Sequence, residues 1–268
     1  MNFSVLMSVY AKERPEYLRE ALQSLADQTL KANEVVLVED GPLGEGLKAV
    51  IEDFCEILNI KSVALTTNQG LAAALNEGLK HCNHELVARM DSDDISLPHR
   101  FEKQVPFMQE NPHVIVMSGW IEEFDENMEN VIFTRRVPQS HASIGQKFKS
   151  QNQINHVAVM FRKSNILGVG GYPAEIKKAQ DYCLWAKLFV QNAIFHNLQE
   201  VLVRVRTGDA FFYRRGFEYL LNELQMLGYQ RKIGFISDPT YILNILIRSV
   251  ARLSPEFIKK LIYKYARK

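Results

Sequence analysis

With 268 residues, 47% of them hydrophobic and 24% charged, the chain can bury a full-sized core and suits one large domain, alone or with an appendage. Its net charge of +1 argues against a general nucleic-acid binder, and three cysteines (Cys55, Cys82, Cys183) in no metal-ligand spacing point to a reducing compartment. The opening MNFSVLMSVY lacks the basic start and long apolar region of a signal peptide and reads as a first strand. No apolar run approaches the ~20 residues that span a bilayer.

The first 120 residues alternate β-rich runs with helical patterns. Phe3–Val9, Glu34–Glu39, Ile60–Leu65, Glu85–Met90 and Val114–Ser118 read as strands. Leu18, Leu22 and Leu25 recur at helical spacing after Pro15, a favoured first-turn residue, and Leu47, Val50, Ile51, Phe54 and Leu58 do the same in the next segment. Gly70–Cys82 and Pro98–Glu110 supply two further helices, the second expected to bend at Pro106. This repetition predicts an α/β fold with a Rossmann-like, mostly parallel central sheet and helices on both faces.

After Gly119 the rhythm changes. The pattern predicts an antiparallel excursion over 120–138, a short helix over 139–150, a strand over Val157–Arg162 and a Gly-rich turn over Gly168–Pro173. A helix from about Ala179 to Gln191 and a strand over Val201–Arg206 follow. Beyond Asp209 the pattern is helical to the end, interrupted near Asp238-Pro239 and at Ser254-Pro255.

In parallel sheets, ligands bind beyond the carboxyl ends of the strands. Here those ends read Ser8-Val9-Tyr10, Glu39-Asp40-Gly41, Thr66–Gly70 and Asp91-Ser92-Asp93-Asp94. Three carboxylates within four residues repel one another unless a cation or donor groups neutralise them. Mg2+ or Mn2+ bridging carboxylate and substrate phosphate suits the pattern. A solvated acidic loop is the plain alternative, but convergence of four polar strand exits on one crevice favours the metal. A calcium loop ending at Glu102 is disfavoured by Ile95 and Ser96, which stand where a ligand and a Gly are needed.

The remaining motifs divide between chemistry and structure. Gly41, Gly44 and Gly46 have the wrong order for a dinucleotide fingerprint, and no phosphate-cradling G-x-x-x-x-G-K-S/T run exists, which disfavours a dehydrogenase or an ATPase. Asp40 suits a base imide N–H or a turn. Asn68 suits ribose, phosphate or a helix cap, with Gly70 opening the helix behind it. Asp181 begins a mostly buried helix with Tyr182 and Trp185, either as a helix-terminal acid or as a general base. Gly170-Gly171-Tyr172 offers a pliable loop on which an acceptor can lie. His156 suits a metal, a phosphate or a satisfied structural role. Arg204, Arg206, Arg214 and Arg215 are candidates for diphosphate or for a solvated face.

The last segment is basic. Residues 248–268 carry seven Lys/Arg against Glu256 alone, leaving 25 basic and 30 acidic residues elsewhere. On a helical wheel Ile242, Leu243, Leu246, Ile247, Val250 and Leu253 share one face, with Asn244, Arg248 and Arg252 opposite. Phe257, Ile258, Leu261, Ile262 and Tyr265 share another, with Lys259, Lys260 and Arg267 opposite. Two basic amphipathic helices point to an anionic membrane surface, with docking on protein as the alternative.

Taken in order, Ser8-Val9-Tyr10, Glu39-Asp40-Gly41, Asn68-x-Gly70, Asp91-Ser92-Asp93-Asp94, Gly170-Gly171-Tyr172 and Asp181-Tyr182-x-Leu184-Trp185 resemble the family-2 glycosyltransferases that build bacterial surface polysaccharides. The resemblance spans most of residues 3–190. It implies a GT-A fold over 1–210, with a nucleotide-binding half at 1–118 and an acceptor-binding half at 119–210, followed by a helical segment at 211–268. It also implies inverting, metal-dependent transfer of a sugar from a nucleotide sugar, with UDP as the expected nucleotide, to a saccharide or lipid-linked oligosaccharide. Val9 and Tyr10 are expected to border the base, Asp40 to read its edge, and Asn68, Gly70, Asp91 and Ser92 to contact the donor. Asp93, with His156, is expected to hold the metal. Gly170, Gly171, Tyr172 and Trp185 are expected on the acceptor side, and Asp181 as the catalytic base. Glu39, Gln180 and Leu75 stand where Asp, Glu and Arg are commoner, which leaves the donor open. The expected location is cytoplasmic, peripheral on the inner face of the plasma membrane. A sugar nucleotidyltransferase or a non-enzymatic membrane-associated binding module are the alternatives.

Overall fold

A computed structural model describes residues 2–207 and 217–253. The first half runs β1 (Phe3–Val9), α1 (Pro15–Ala26), β2 (Glu34–Glu39), α2 (Glu45–Leu58), β3 (Ile60–Ala64), α3 (Leu71–His81) and β4 (Leu86–Met90). The strands pair in parallel in the order β3-β2-β1-β4. Their unbroken apolar runs follow from burial on both sides. Phe3, Val5, Met7, Val35 and Leu37 face α1, α2 and the helix that follows β4, whereas Leu6, Val36, Val38 and Val87 face α3 and the later helices. Leu18, Leu22 and Leu25 seat α1 on the first core, each burial stabilising by roughly 1.5–3 kcal/mol.

The sheet continues through β5 (Ile95–Ser96), β6 (Val114–Phe124), β7 (Val131–Arg135), β8 (Met160–Arg162) and β9 (Ile194–Arg206), with α4 (Arg100–Glu110), α5 (His141–Phe148), α6 (Lys163–Gly168) and α7 (Gln180–Val190) between them. Beyond β4 the order is β8-β6-β9-β5, with β7 on β6. β4 and β6 both pair antiparallel with β8, and β6 pairs in parallel with β9. The parallel character expected from the sequence therefore belongs to the first half, and the second half is mixed. Ser140 starts α5 with a reciprocal capping box, its hydroxyl accepting from the Ser143 N–H. α8 (Phe217–Lys232) and α9 (Asp238–Leu253) close the described chain.

Several boundaries differ from expectation for local reasons. The strand expected over Val157–Arg162 starts only at Met160. Ala158 N–H bonds the Asn155 carbonyl (3.0 Å), closing a 3-10 turn over His156–Ala158. The last strand begins at Ile194 rather than Val201, because the register with β6 starts at Val114 opposite Ile194. Pro106 stays inside α4. Arg214, Arg215 and the second amphipathic stretch, from Pro255 onward, lie outside the described residues.

Candidate active site

The carboxyl ends of β1, β2 and β4 open into a cleft of about 450 Å3. Tyr10, Asp40, Asn68 and Gly70 reach it from the first strands and the loop before α3; Asp91, Ser92 and Asp93 reach it from β4. Val9 ends β1 with its side chain in the core. A larger groove of about 810 Å3 lies between α1, the start of α2 and β5, but the polar exits of the parallel strands do not open into it.

Asp40 shapes one wall. It is buried, and its carboxylate accepts the N–H groups of Gln69 (2.6 Å) and Gly70 (3.0 Å), while Asn68 donates to its carbonyl (3.1 Å). Each carboxylate oxygen keeps a second lone pair. Gly41 makes this approach possible: its φ is +88°, and a Cβ there would lie 2.7 Å from the Asn68 nitrogen.

The opposing wall is a concentrated negative charge. Carboxylate oxygens of Asp91, Asp93 and Asp94 lie within 4.8 Å of one another. Burial, then the charges of Asp91 and Glu13, push the Asp93 carboxyl up to about 7; burial, then the charges of Asp91 and Asp93, raise Asp94 well above the usual carboxylate range. Three groups hold the cluster in place. Arg89, only 2% exposed, grips Asp91 with both guanidinium arms. Arg206, at the end of β9, donates its N–H to Asp94 (3.0 Å) and its Nε to the Asp93 carbonyl (3.2 Å). Ser92 donates its hydroxyl to Glu13 (2.6 Å). Beneath them Arg100 donates to the carbonyls of Arg89 (2.8 Å) and Val159 (3.2 Å), and burial, reinforced by Arg89, pushes its pKa down to about 9. An all-oxygen donor set, with protons held against burial and mutual repulsion, fits a hard divalent cation.

His156 does not join these acids. Its Nε2 lies 2.9 Å from the Tyr172 hydroxyl, and burial together with the positive charge of Arg89 keeps its pKa well below the ordinary value. That bond engages one ring nitrogen, and the acids of the β4 exit cluster without the ring. Tyr172 is itself buried, and its N–H and carbonyl are clasped by the Asn76 amide at 2.8 Å each. Trp185 is fully buried and stacks edge-on to His156, 5.9 Å between centroids. It supports the site from behind. Gly170 is exposed and Gly171 buried against Asn76.

Asp181 starts α7, where the helix N-terminus favours a carboxylate. Asn152 donates to its Oδ2 (2.9 Å). Burial outweighs the Tyr182 N–H and the charges of Arg135 and Arg89, so the carboxyl is raised above the usual range, which makes it a better base. Arg89 thus feels both acidic centres. Sequence reasoning missed Glu13, Asn152, Arg135 and Arg89. Only Arg89 carried a signal, a lone charge inside the apolar run Leu86–Met90.

A family model described as glycosyl transferase family 2 matches residues 4–167. The chain belongs to glycosyl transferase family 2. This glycosyltransferase is 41% identical over 270 residues, 99% of each chain, to the amylovoran biosynthesis glycosyltransferase AmsE of Erwinia amylovora. It is 40% identical over 264 residues to the UDP-Gal:alpha-D-GlcNAc-diphosphoundecaprenol beta-1,3-galactosyltransferase of Escherichia coli, covering 98% of this chain and 95% of that one. In fold it is similar to S. aureus TarS 1–349 solved with UDP-GlcNAc (TM-score 0.68, 21% identical, 94% of this chain and 73% of that one). The mannosyltransferase PcManGT of Pyrobaculum calidifontis, solved with GDP-Man and Mn2+, is also similar (TM-score 0.64, 14% identical, 99% and 79%). The glycosyltransferase has the GT-A fold these neighbours share. No helix among its described residues is long and apolar enough to cross a membrane.

Proposed function

We propose that this glycosyltransferase moves a sugar, with inversion, from a UDP-sugar to a lipid-linked saccharide during surface-polysaccharide synthesis, working at the inner face of the plasma membrane. The observation that carries the reading is the single cleft that gathers Tyr10, Asp40 and Asn68 with the acids of the β4 exit. The nucleotide and the acceptor are taken from the names of the Escherichia coli relative and, for the pathway, the Erwinia relative.

On this reading Tyr10, which is exposed, borders the base, and Asp40 uses its remaining lone pairs on the imide edge. Asp91 holds ribose or sugar hydroxyls from its Arg89 grip. Asp93 is the principal metal ligand, with Asp94 beside it. A bound Mg2+ or Mn2+ would offset the charge that develops on the departing nucleoside diphosphate. Asp181, oriented by Asn152, takes the proton of the acceptor hydroxyl. The acceptor oxygen forms the new bond to the anomeric carbon as the bond to phosphate breaks, its electron pair leaving with the nucleoside diphosphate. Attack and departure on opposite faces explain why base and acids come from α7 and from β4. Gly170 and Gly171 form the loop beside the acceptor. The two halves at 1–118 and 119–210 divide donor from acceptor, and 211–268 serves attachment.

The test is product analysis with UDP-sugars and a GlcNAc-diphosphate-lipid acceptor in Mn2+. Release of UDP and an inverted anomeric centre support the reading; release of pyrophosphate, or a retained configuration, overturns it.

A further inference from the structure

α9 is amphipathic, yet it lies on the protein by its polar side. Asn244 is buried and donates to the Lys149 carbonyl (3.0 Å); Arg248 donates to the Ser150 carbonyl (3.0 Å). Arg252 binds both oxygens of Glu223 on α8 (2.8 and 2.9 Å), and Arg248 binds the same carboxylate. Tyr241 and Ile245 add apolar packing against the core. The opposite side displays Ile242, Leu243, Leu246 and Ile247, exposed by 57%, 56%, 58% and 56%. These lie at i, i+1, i+4 and i+5 and so form one continuous aliphatic patch. Exposed to this extent, a patch of this kind is unfavourable in water and marks an interaction surface.

We infer that the outward face of α9 docks into an anionic lipid bilayer. The chain that follows it supplies the matching charge, with Lys259, Lys260, Lys264, Arg267 and Lys268 against Glu256 alone. An aliphatic face for the acyl boundary and basic charge for the anionic headgroups are the two components of in-plane attachment. The inward face gives the docking a purpose. Lys149 and Ser150, gripped by Asn244 and Arg248, lie just before Asn152, which holds the Asp181 carboxylate. The docked helix is therefore continuous, through four residues of chain, with the group that orients the proposed base.

The purpose rests on the proposed lipid-linked acceptor, but the docking does not. Full-length protein is mixed with vesicles of phosphatidylcholine alone or with phosphatidylglycerol added, without donor or acceptor, and sedimented. Binding is expected only to the phosphatidylglycerol vesicles. Leu243→Ser/Leu246→Ser/Ile247→Ser should reduce the partition coefficient by more than about tenfold at an unchanged melting temperature. A partition coefficient unchanged by the triple substitution overturns the inference, as does absence of vesicle binding, whether the protein is then monomeric or forms a dimer that the substitutions dissolve. Transfer to a soluble acceptor analogue is scored separately, so failed docking and a failed transferase reading remain distinct.

Discussion

Replacing Arg89 by Met isolates the electrostatics of the site. Arg89 is the buried guanidinium that grips Asp91, and it lies in the field of Asp94 and of Asp181. Methionine keeps most of the volume and removes the charge. Breaking a buried pair from one side costs about 3–5 kcal/mol. Asp91 keeps 29% of its side-chain surface, so water recovers part of this and about 2–4 kcal/mol remains. For a chain of this size that corresponds to melting about 5–12 °C lower. The assay is a thermal melt in EDTA and again in Mn2+. Without the guanidinium the acids repel more strongly, so added cation should raise the melting temperature of Arg89→Met more than that of the wild type. A variant that melts within about 1 °C of wild type in EDTA would refute the reasoning, as would an equal cation shift.

Cation affinity should fall about tenfold per pH unit below about 7, because Asp93 holds its proton there and a ligand must release it; calorimetry with Mn2+ at pH 6 and 8 that gave equal affinities would contradict this. Glu34 tests the core. It is buried, yet bonds from Ser4 (2.6 Å) and from the Asn83 N–H and amide (2.6 Å each) outweigh that burial and lower its pKa. Its contribution is therefore present above the usual Glu range and lost as pH falls through the lowered folded value. Glu34→Gln should cost about 1–3 kcal/mol at neutral pH, and the gap to wild type should close in acid; urea titrations showing a constant gap would count against it. Gly171→Ala places a Cβ 2.3 Å from Asn76 Oδ1 at φ +69°, breaking the Asn76–Tyr172 clasp. A loss of about 1–3 kcal/mol is expected, and denaturation within about 0.5 kcal/mol of wild type would exclude that clasp as the constraint.

Much of this architecture could be read in advance. Phe3–Val9 and Glu34–Glu39 have the predicted bounds because each is an apolar run flanked by turn residues. What escaped depends on long-range pairing. β5 is two residues long and exists because Ile95 and Ser96 meet Arg204 and Val203, more than a hundred positions away. The first half of β9 contains His196, Asn197 and Gln199, a polar run that reads as loop until β6 supplies its partner. The acids of the β4 exit were legible as a cluster, whereas two of their restraints, Glu13 and Arg206, come from distant segments, and the third, Arg89, sits within β4 itself. α9 shows the same division. The helical wheel placed Ile242, Leu243, Leu246, Ile247 and Val250 on one face, and all five are exposed, but which face the protein covers was settled by Glu223 and the Lys149 and Ser150 carbonyls.

The most direct test of the donor cleft is calorimetric titration of the protein with a UDP-sugar, with and without Mn2+. One equivalent should bind in Mn2+, binding should be lost in EDTA and in Asp93→Asn, and it should persist in Asp181→Asn. Equal uptake in EDTA, or full uptake by Asp93→Asn, would contradict the assignment of the β4 acids.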